Sequence, residues 1–265
     1  MSNLKAILAV LLLCAAPVWA QEALVGLDRD ERLRPWRAVG KVEIANQGYC
    51  TGTLIAPDTV LTAAHCTYDA AGAPFAAGIV TFRAGLRGSA AEAERRVTQI
   101  VRAEGFEHTG PKTLNRIAAD VALLRLERPI ASHVIAPFAI EPRALNGGEV
   151  SVVSYGQGRD ALPSLQLTCG VLGQMRDVVV MDCDTTFGSS GAPVFRRDGE
   201  RFRIASIVSG SARFDGVRRT TGMALPATVR RLQARMIAEK PRVVPTIRRI
   251  GVGERPSGGA KFISN

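Results

Sequence analysis

The sequence predicts an all-β protein, either a barrel or a sandwich, and two observations support this. Apolar and polar residues alternate in part over short segments such as 38–44 and 203–208, as on half-buried strands. Glycines punctuate the chain between such segments at Gly48, Gly52, Gly85, Gly88, Gly147, Gly148, Gly156 and Gly158. Many short strands separated by glycine turns are typical of barrels and sandwiches.

Size and composition exclude several other classes of protein. A chain of 265 residues can bury a sizeable core, and 46% hydrophobic with 22% charged residues is ordinary for a globular protein. Disorder over the whole chain is therefore excluded. The longest apolar run, residues 6–20, is short for a bilayer span, which excludes a polytopic membrane protein.

Residues 1–20 have the features of a secretory signal peptide. Lys5 precedes the apolar run, and Val18 and Ala20 place short side chains at the −3 and −1 positions of a cleavage site. We expect cleavage near Ala20 and a secreted or periplasmic protein. An uncleaved anchor helix is the alternative, and the shortness of the run disfavours it.

The cysteines agree with export. Removal of Cys14 with the leader leaves Cys50, Cys66, Cys169 and Cys183, an even number that predicts two disulfides. Three pairings are open. The two pairs that are close in sequence, 50–66 and 169–183, would each stabilise the fold by roughly 3 kcal/mol in the chain-entropy model. No Cys-x-x-Cys pair and no cluster with zinc spacing is present in the sequence, so we expect neither a metal nor another cofactor.

The net charge of +10 is concentrated near the C-terminus. Residues 227–265 hold nine basic and two acidic residues, and the body before them is close to neutral. This distribution is not typical of a nucleic-acid-binding fold, so no nucleic acid is expected as a partner. We interpret residues 241–265 as a flexible basic tail, which is either solvated or in weak contact with an acidic surface.

One amphipathic helix is predicted before that tail. Residues 227–238 place Val229, Leu232, Met236 and Ile237 on one face and arginines elsewhere. This helix would pack its apolar face against the β-rich body.

Three segments carry residues with catalytic chemistry. His65 follows small residues that leave its ring accessible, and the cysteine after it can fix the turn. Asp120 opens a segment that has the composition of a buried strand. Ser190 lies between Gly188 and Gly191, which allow a sharp turn, so that backbone N–H groups can face the same point as the serine Oγ.

These residues match the requirements of nucleophilic catalysis by serine. The nucleophile Ser190 needs a base, His65, whose tautomer is held by an acid, Asp120. The developing oxyanion needs fixed donors, for which we assign the backbone N–H groups of Gly188 and Ser190. Each motif alone is common, but all three in the order His, Asp, Ser in an exported β-rich chain predict a serine hydrolase.

The segments TAAHC, DVALLRL and GSSGAPV resemble the catalytic signatures of the chymotrypsin-like (trypsin-like) serine proteases, over most of residues 24–240. Residues 28–29 and 34–40 resemble the bacterial glutamyl-endopeptidase branch. The resemblance implies two six-stranded antiparallel barrels with the site between them, and a C-terminal helix. It also implies an endopeptidase that acts on protein or peptide substrates, and we expect a monomer. The layout favours the disulfides 50–66 and 169–183, because a 50–169 or 66–183 link would cross between the halves.

The expected organisation follows from these features. A signal peptide (1–20) and an N-terminal segment (21–35) precede the protease domain (36–240), and the basic tail follows it. The boundary between the barrels is expected near residues 131–147. Animal members of the family carry an Asp before the nucleophile for zymogen activation, whereas this chain has Ser189, so activation of that type is not implied.

The sequence leaves open which of two neighbouring residues binds the substrate side chain before the scissile bond. Asp184, six positions before Ser190, matches the position where trypsin-like members bind Arg or Lys. Thr185 matches a Thr that glutamyl endopeptidases use, but those proteins add a His on the cleft strand, where this chain has Val208 followed by Ser209. We assign all four residues to substrate binding and expect a basic residue before the scissile bond, with a Glu-specific endopeptidase as the alternative.

Two other functions are less favoured. A catalytically silent homologue that binds a partner through its basic tail is disfavoured by the intact set of catalytic residues. A protease–chaperone would need a peptide-binding domain, and about 25 residues after the predicted helix are too few for one.

Overall fold

The computed structural model describes residues 23–239, so the predicted leader and basic tail lie outside the described residues. Within this range no helix has the length and hydrophobicity needed to cross a membrane. The range begins with strand β1 (Val25–Gly26), helix α1 (Asp30–Leu33) and a 3₁₀ turn (Arg34–Trp36).

Six antiparallel strands close the first barrel. They are β2 (Val39–Ile44), β3 (Gly48–Ala56), β4 (Thr59–Thr62), β5 (Val80–Ala84), β6 (Ala93–Arg102) and β7 (Ala122–Leu126). They adjoin in the order β2-β3-β4-β7-β6-β5, and the pairing of β2 with β5 closes the ring. Its connections carry 3₁₀ turns at Ala64–Thr67 and Ala77–Ile79 and helix α2 (Leu114–Ala118).

Six further antiparallel strands form the second barrel. They are β8 (Glu149–Ser154), β9 (Ser164–Met175), β10 (Val178–Met181), β11 (Pro193–Asp198), β12 (Arg201–Phe214) and β13 (Val217–Met223). They follow one another as β9-β10-β13-β12-β11-β8, and β8 pairs back onto β9. Helix α3 (Pro226–Ala238) follows. The predicted architecture of two six-stranded barrels and a C-terminal helix is confirmed.

The segment predicted to precede the domain packs into it. β1 pairs antiparallel with β9 of the second barrel. Leu27 and Leu33 beside it are 2% and 1% exposed. Burying these two leucines removes apolar surface from water, so the described part of the segment contributes to the core.

Helix α3 contacts β6 and β7 of the first barrel. Its buried residues are Val229, Leu232 and Met236, which follow the spacing i, i+3, i+7 of one helical face. Ile237, predicted on the same face, is 68% exposed. The reason is geometric, since successive helical residues are rotated by about 100° and Ile237 therefore leaves the stripe that ends at Met236.

An aromatic cluster joins the two barrels and their connection. The Trp36 ring lies 5.2 Å from that of Phe195 on β11 and 4.7 Å from that of Phe202 on β12. Phe138, in the connection between the barrels, lies 4.5 Å from Phe195. These contacts help fix how the barrels face each other, which places residues of one barrel opposite those of the other.

Candidate active site

His65 lies on the 3₁₀ turn that follows β4, and a disulfide holds that turn. Cys66 is bonded to Cys50 on β3. The two alanines before His65 are fully buried, whereas its side chain is 28% exposed. The imidazole is therefore anchored at its base and reachable at its edge.

Asp120, between α2 and β7, binds both the backbone and the ring of His65. Its side chain is 4% exposed. Its Oδ1 accepts the backbone N–H of His65 at 2.9 Å, and its Oδ2 lies 2.7 Å from Nδ1 of the ring. A carboxylate only accepts, so Nδ1 carries the proton and Nε2 of the neutral ring is left as an acceptor. This is the tautomer that a general base needs.

Ser209 has a different contact from the one predicted for it. It lies on β12 and lines the cleft, but its hydroxyl donates to Oδ2 of Asp120 at 2.6 Å. Asp120 thus accepts three hydrogen bonds, which satisfy its oxygens in a buried position. The hydroxyl proton of Ser209 is therefore committed to Asp120, although the residue lines the cleft.

The loop that carries Ser190 depends on two glycines. Gly188 and Gly191 have φ values of +83° and +76°. A Cβ atom on Gly188 would lie 2.3 Å from the carbonyl oxygen of Tyr155, and one on Gly191 would lie 2.3 Å from that of Thr51. Both conformation and space therefore require glycine here.

Thr51 on β3 ties this loop to the first barrel. It is fully buried, and its hydroxyl donates to the carbonyl of Gly188 at 2.8 Å. Its backbone N–H donates to the carbonyl of Ser190 at 2.9 Å. The sequence analysis missed Thr51, because a threonine within a strand has no local signal of a contact 139 residues away.

Ser189, next to the candidate nucleophile, is buried and hydrogen-bonded. Its hydroxyl lies 3.0 Å from that of Ser154 on β8. It also accepts the N–H of Thr186 at 3.3 Å. A neutral pair of hydroxyls thus occupies the place where animal members have an acid, so the loop is held without a buried charge.

Two backbone N–H groups beside Ser190 are unoccupied. Within residues 23–239, neither the N–H of Gly188 nor that of Ser190 donates to another residue. Backbone donors left free at an open site are suited to an oxyanion.

A cleft of about 300 Å³ brings most of the predicted residues together. His65, Asp120, Ser190, Thr185, Val208 and Ser209 all line it. No hydrogen bond joins His65 to Ser190 in the described residues, and such bonds often tighten only when substrate binds.

Asp184 does not reach the cleft. Its side chain is exposed, and its backbone N–H donates to the side-chain oxygen of Gln166 at 2.8 Å. Thr185, by contrast, is 7% exposed and lines the cleft. Of the two neighbours, Thr185 is therefore the one that lines the cleft, because the chain turns after Cys183, and a role of Asp184 in substrate binding stays a prediction.

The cleft also contains cations that the sequence analysis did not single out. Lys112, Arg116 and Arg218 line it, and Asp120 is the one acidic residue that does so in the part of the chain described. Lys112 and Arg116 lie shortly before Asp120, while Arg218 reaches the cleft only because β13 pairs with β12. The sequence has no local signal for Arg218, because its place in the cleft depends on that strand pairing.

A second histidine, His108, also lines the cleft. The ring of His108 stacks on Tyr68 with centroids 5.2 Å apart. Burial, and then the positive charges of His65 and Arg116, lower the pKa of His108 below its ordinary value. His108 therefore stays neutral over a wider pH range than a free histidine.

The one group of candidate metal ligands within residues 23–239 comprises Cys50, His65 and Cys66. Both sulfurs belong to the same disulfide, so neither is available as a thiolate ligand. The second disulfide, Cys169–Cys183, links β9 to the segment before Thr185. The two disulfides are therefore 50–66 and 169–183, the pairing that the two-barrel layout favours.

A sequence model of the trypsin-like peptidase domain matches residues 50–202, more than half of the chain. The chain belongs to this family. The glutamyl endopeptidase of Bacillus licheniformis is 27% identical over 202 residues, which are 74% of this chain and 62% of that protein. Serine protease 23 of Rattus norvegicus is 28% identical over 173 residues, 57% of this chain and 44% of that protein. The chain thus spans less than two thirds of either relative.

Solved structures of similar fold agree with this family. A Glu endopeptidase solved in complex with MPD has a TM-score of 0.67 at 18% identity, covering 82% of this chain and 98% of that one. A thermostable serine protease, AL20, from an extremophilic microorganism has a TM-score of 0.60 at 22% identity, covering 75% and 95%. At these identities the likeness extends to the fold.

Proposed function

We propose that this trypsin-like peptidase is an exported serine endopeptidase in which Ser190 is the nucleophile, His65 the base and Asp120 the acid that orients it. The observation that carries the proposal is the chain of contacts from Asp120 to His65, in one cleft with Ser190, whose loop has two backbone N–H groups without an acceptor among the described residues. Each part of a triad with an oxyanion site then has a residue.

The chemistry follows from these contacts. Nε2 of His65 takes the proton of Ser190 as Oγ attacks the scissile carbonyl carbon, and the N–H groups of Gly188 and Ser190 stabilise the oxyanion. The imidazolium then gives its proton to the leaving amine, and an acyl-enzyme remains. Water, deprotonated by His65, hydrolyses that ester and regenerates the serine.

We further propose that the enzyme prefers an acidic residue before the scissile bond. Three cations line the cleft against one acid, and that acid is committed to His65 and Ser209. The exposed position of Asp184 removes the basis for a preference for Arg or Lys. The name of the glutamyl endopeptidase relative points in the same direction.

Export is supported by the disulfides. Both bonds join cysteines within the described domain, and such bonds persist in oxidising compartments. The predicted signal peptide, cleaved near Ala20, would deliver the chain there.

Covalent labelling tests the proposed nucleophile. A fluorophosphonate probe should modify the mature protein stoichiometrically at Ser190, and Ser190→Ala should abolish both labelling and peptide hydrolysis. Ser189→Ala is the matched control, because the buried Ser189 hydroxyl faces Ser154 and labelling should persist. Labelling at Ser189, or its absence in the wild type, would contradict the assignment and favour a silent homologue.

A further inference from the structure

Arg218 on β13 is held at the wall of the cleft by two of its neighbours. Its Nε donates to Oγ of Ser211 on β12 at 2.9 Å. Its Nη2 donates to the carbonyl of Thr185 at 3.2 Å. These bonds fix the guanidinium between the strand and the loop that border the substrate site, although Arg218 is an exposed residue.

The charge of Arg218 is not neutralised. No carboxylate of the described residues lies within ion-pair distance of its guanidinium, whereas Arg37, Arg83, Arg125 and Arg143 each have such a partner. Two fixed hydrogen bonds leave further N–H donors of the guanidinium unused. Such a group is suited to bind a carboxylate with charge-assisted hydrogen bonds.

Thr185, the other candidate for this role, has no proton to offer. The hydroxyl of Thr220 donates to the carbonyl of Cys183 at 2.6 Å. The hydroxyls of Thr185 and Thr220 are 2.7 Å apart, so Thr185 must be the donor of that bond. A hydroxyl has one proton, and Thr185 therefore cannot donate it to a substrate at the same time.

Ser211, unlike Thr185, has a hydroxyl proton that can be donated to a substrate. It accepts from Arg218, and no described residue accepts its own proton. Ser211 and Arg218 both line the cleft. One hydroxyl and one guanidinium are therefore available together as donors at the same place.

We propose that Arg218, supported by Ser211, is the residue that selects an acidic side chain before the scissile bond. This inference rests on the proposed endopeptidase function and supplies the cation that Val208 cannot provide. The carboxylate would accept from the unused N–H groups of Arg218 and from the hydroxyl of Ser211. An amide of the same size would lose the charge-assisted bonds.

Peptides that differ only in Glu or Gln at this position test the assignment. The wild-type enzyme should have a kcat/KM for the Glu peptide about 10- to 100-fold higher, the range expected for hydrogen bonds to a charged group. Arg218→Ala should reduce this ratio to near one, mainly by slowing cleavage of the Glu peptide. Arg218→Glu should shift the preference toward peptides with Lys or Arg.

Arg213→Ala is the matched control, because it removes an exposed arginine of the same strand pair that bonds the carbonyl of Gly216 and does not line the cleft. It should leave the ratio of Glu to Gln cleavage within about twofold of the wild type, since a general field effect is small beside a direct contact. The rate of fluorophosphonate labelling should be the same in both variants, which shows that fold and nucleophile are intact. A Glu preference retained in Arg218→Ala, or lost equally in Arg213→Ala, would overturn the assignment.

Binding separates this inference from the proposed catalysis. On a Ser190→Ala background, fluorescence anisotropy should detect tighter binding of the Glu than of the Gln peptide, and Arg218→Ala should remove the difference. If the wild type fails to cleave or label but this binding pattern holds, the proposed function fails and the role of Arg218 stands. Equal binding of both peptides would refute the role of Arg218 whatever the catalytic result.

Discussion

The hydroxyl of Ser209 donates to Oδ2 of Asp120 at 2.6 Å, so a strand of the second barrel reaches the acid presented by the first. The two residues are 89 positions apart in the chain. The same Oδ2 lies 2.7 Å from Nδ1 of His65. The orientation of the His65 ring therefore depends on both barrels, and substitutions of Ser209 and Asp120 test this dependence.

Replacing Ser209 by Ala should reduce turnover by misplacing Asp120. Loss of one hydrogen bond to a buried carboxylate predicts a kcat roughly 10-fold lower, with KM little changed because the hydroxyl faces the acid rather than substrate. Ser209→Thr keeps a hydroxyl and should recover most of the activity. A change confined to KM would indicate that Ser209 binds substrate, as the sequence suggested. Steady-state kinetics on all three proteins decides between these roles.

Asp120→Asn should have a much larger effect. An amide can donate to Nδ1 and so favours the tautomer in which Nε2 is protonated and cannot act as a base. Turnover should fall by about 10⁴-fold, as it does for the same change in a well-studied triad, while the melting temperature changes little. A variant with near-normal turnover would show that a different group orients His65.

Gly191→Ala should abolish the native nucleophile loop. The new Cβ would lie 2.3 Å from both the carbonyl oxygen of Thr51 and Oγ1 of Thr62. Strain and overlap together predict a loss of about 3 kcal/mol or more in the free energy of unfolding. Gly199→Ala is the control, because its φ is also positive, at +62°, but nothing lies within 4 Å of the added atom. It should cost only about 1 kcal/mol in urea unfolding, and equal losses would show that steric overlap is not the cause.

Glu141 in the connection between the barrels should make the fold sensitive to acid. Its side chain is inaccessible to solvent, and the hydrogen bond from the Arg143 side chain lowers its pKa below the ordinary 4.5. Because the folded pKa lies below the unfolded one, the stabilisation is present above the unfolded pKa and is lost as pH falls through the folded pKa.

Glu141→Gln should accordingly lower the urea midpoint at pH 6 and flatten its decline between about pH 4.5 and pH 3. The exposed Glu200, which has no ion pair with a described residue, supplies the control, and Glu200→Gln should follow the wild-type curve. A Glu141→Gln curve parallel to that of the wild type would show that Glu141 does not carry the acid sensitivity.

The sequence by itself determined the all-β class, the fold family and the identity of the candidate catalytic residues. Local patterns suffice for these, because each signal lies within a few consecutive residues. These signals are the turn glycines, the strand patterning and the motifs around His65, Asp120 and Ser190. The resemblance then supplied the two barrels, which the structure confirms. The helix before the C-terminal tail was also predicted correctly, except that Ile237 is exposed rather than on the buried face.

Only the tertiary structure decided which residues line the cleft. Asp184 and Thr185 are neighbours in the chain, and no local rule says which one turns inward. Arg218 joins the cleft through the pairing of β13 with β12, and Thr51 supports the nucleophile loop from the other barrel. Contacts between distant segments depend on strand register and on how the barrels pack, and these are properties of the whole fold rather than of any one segment.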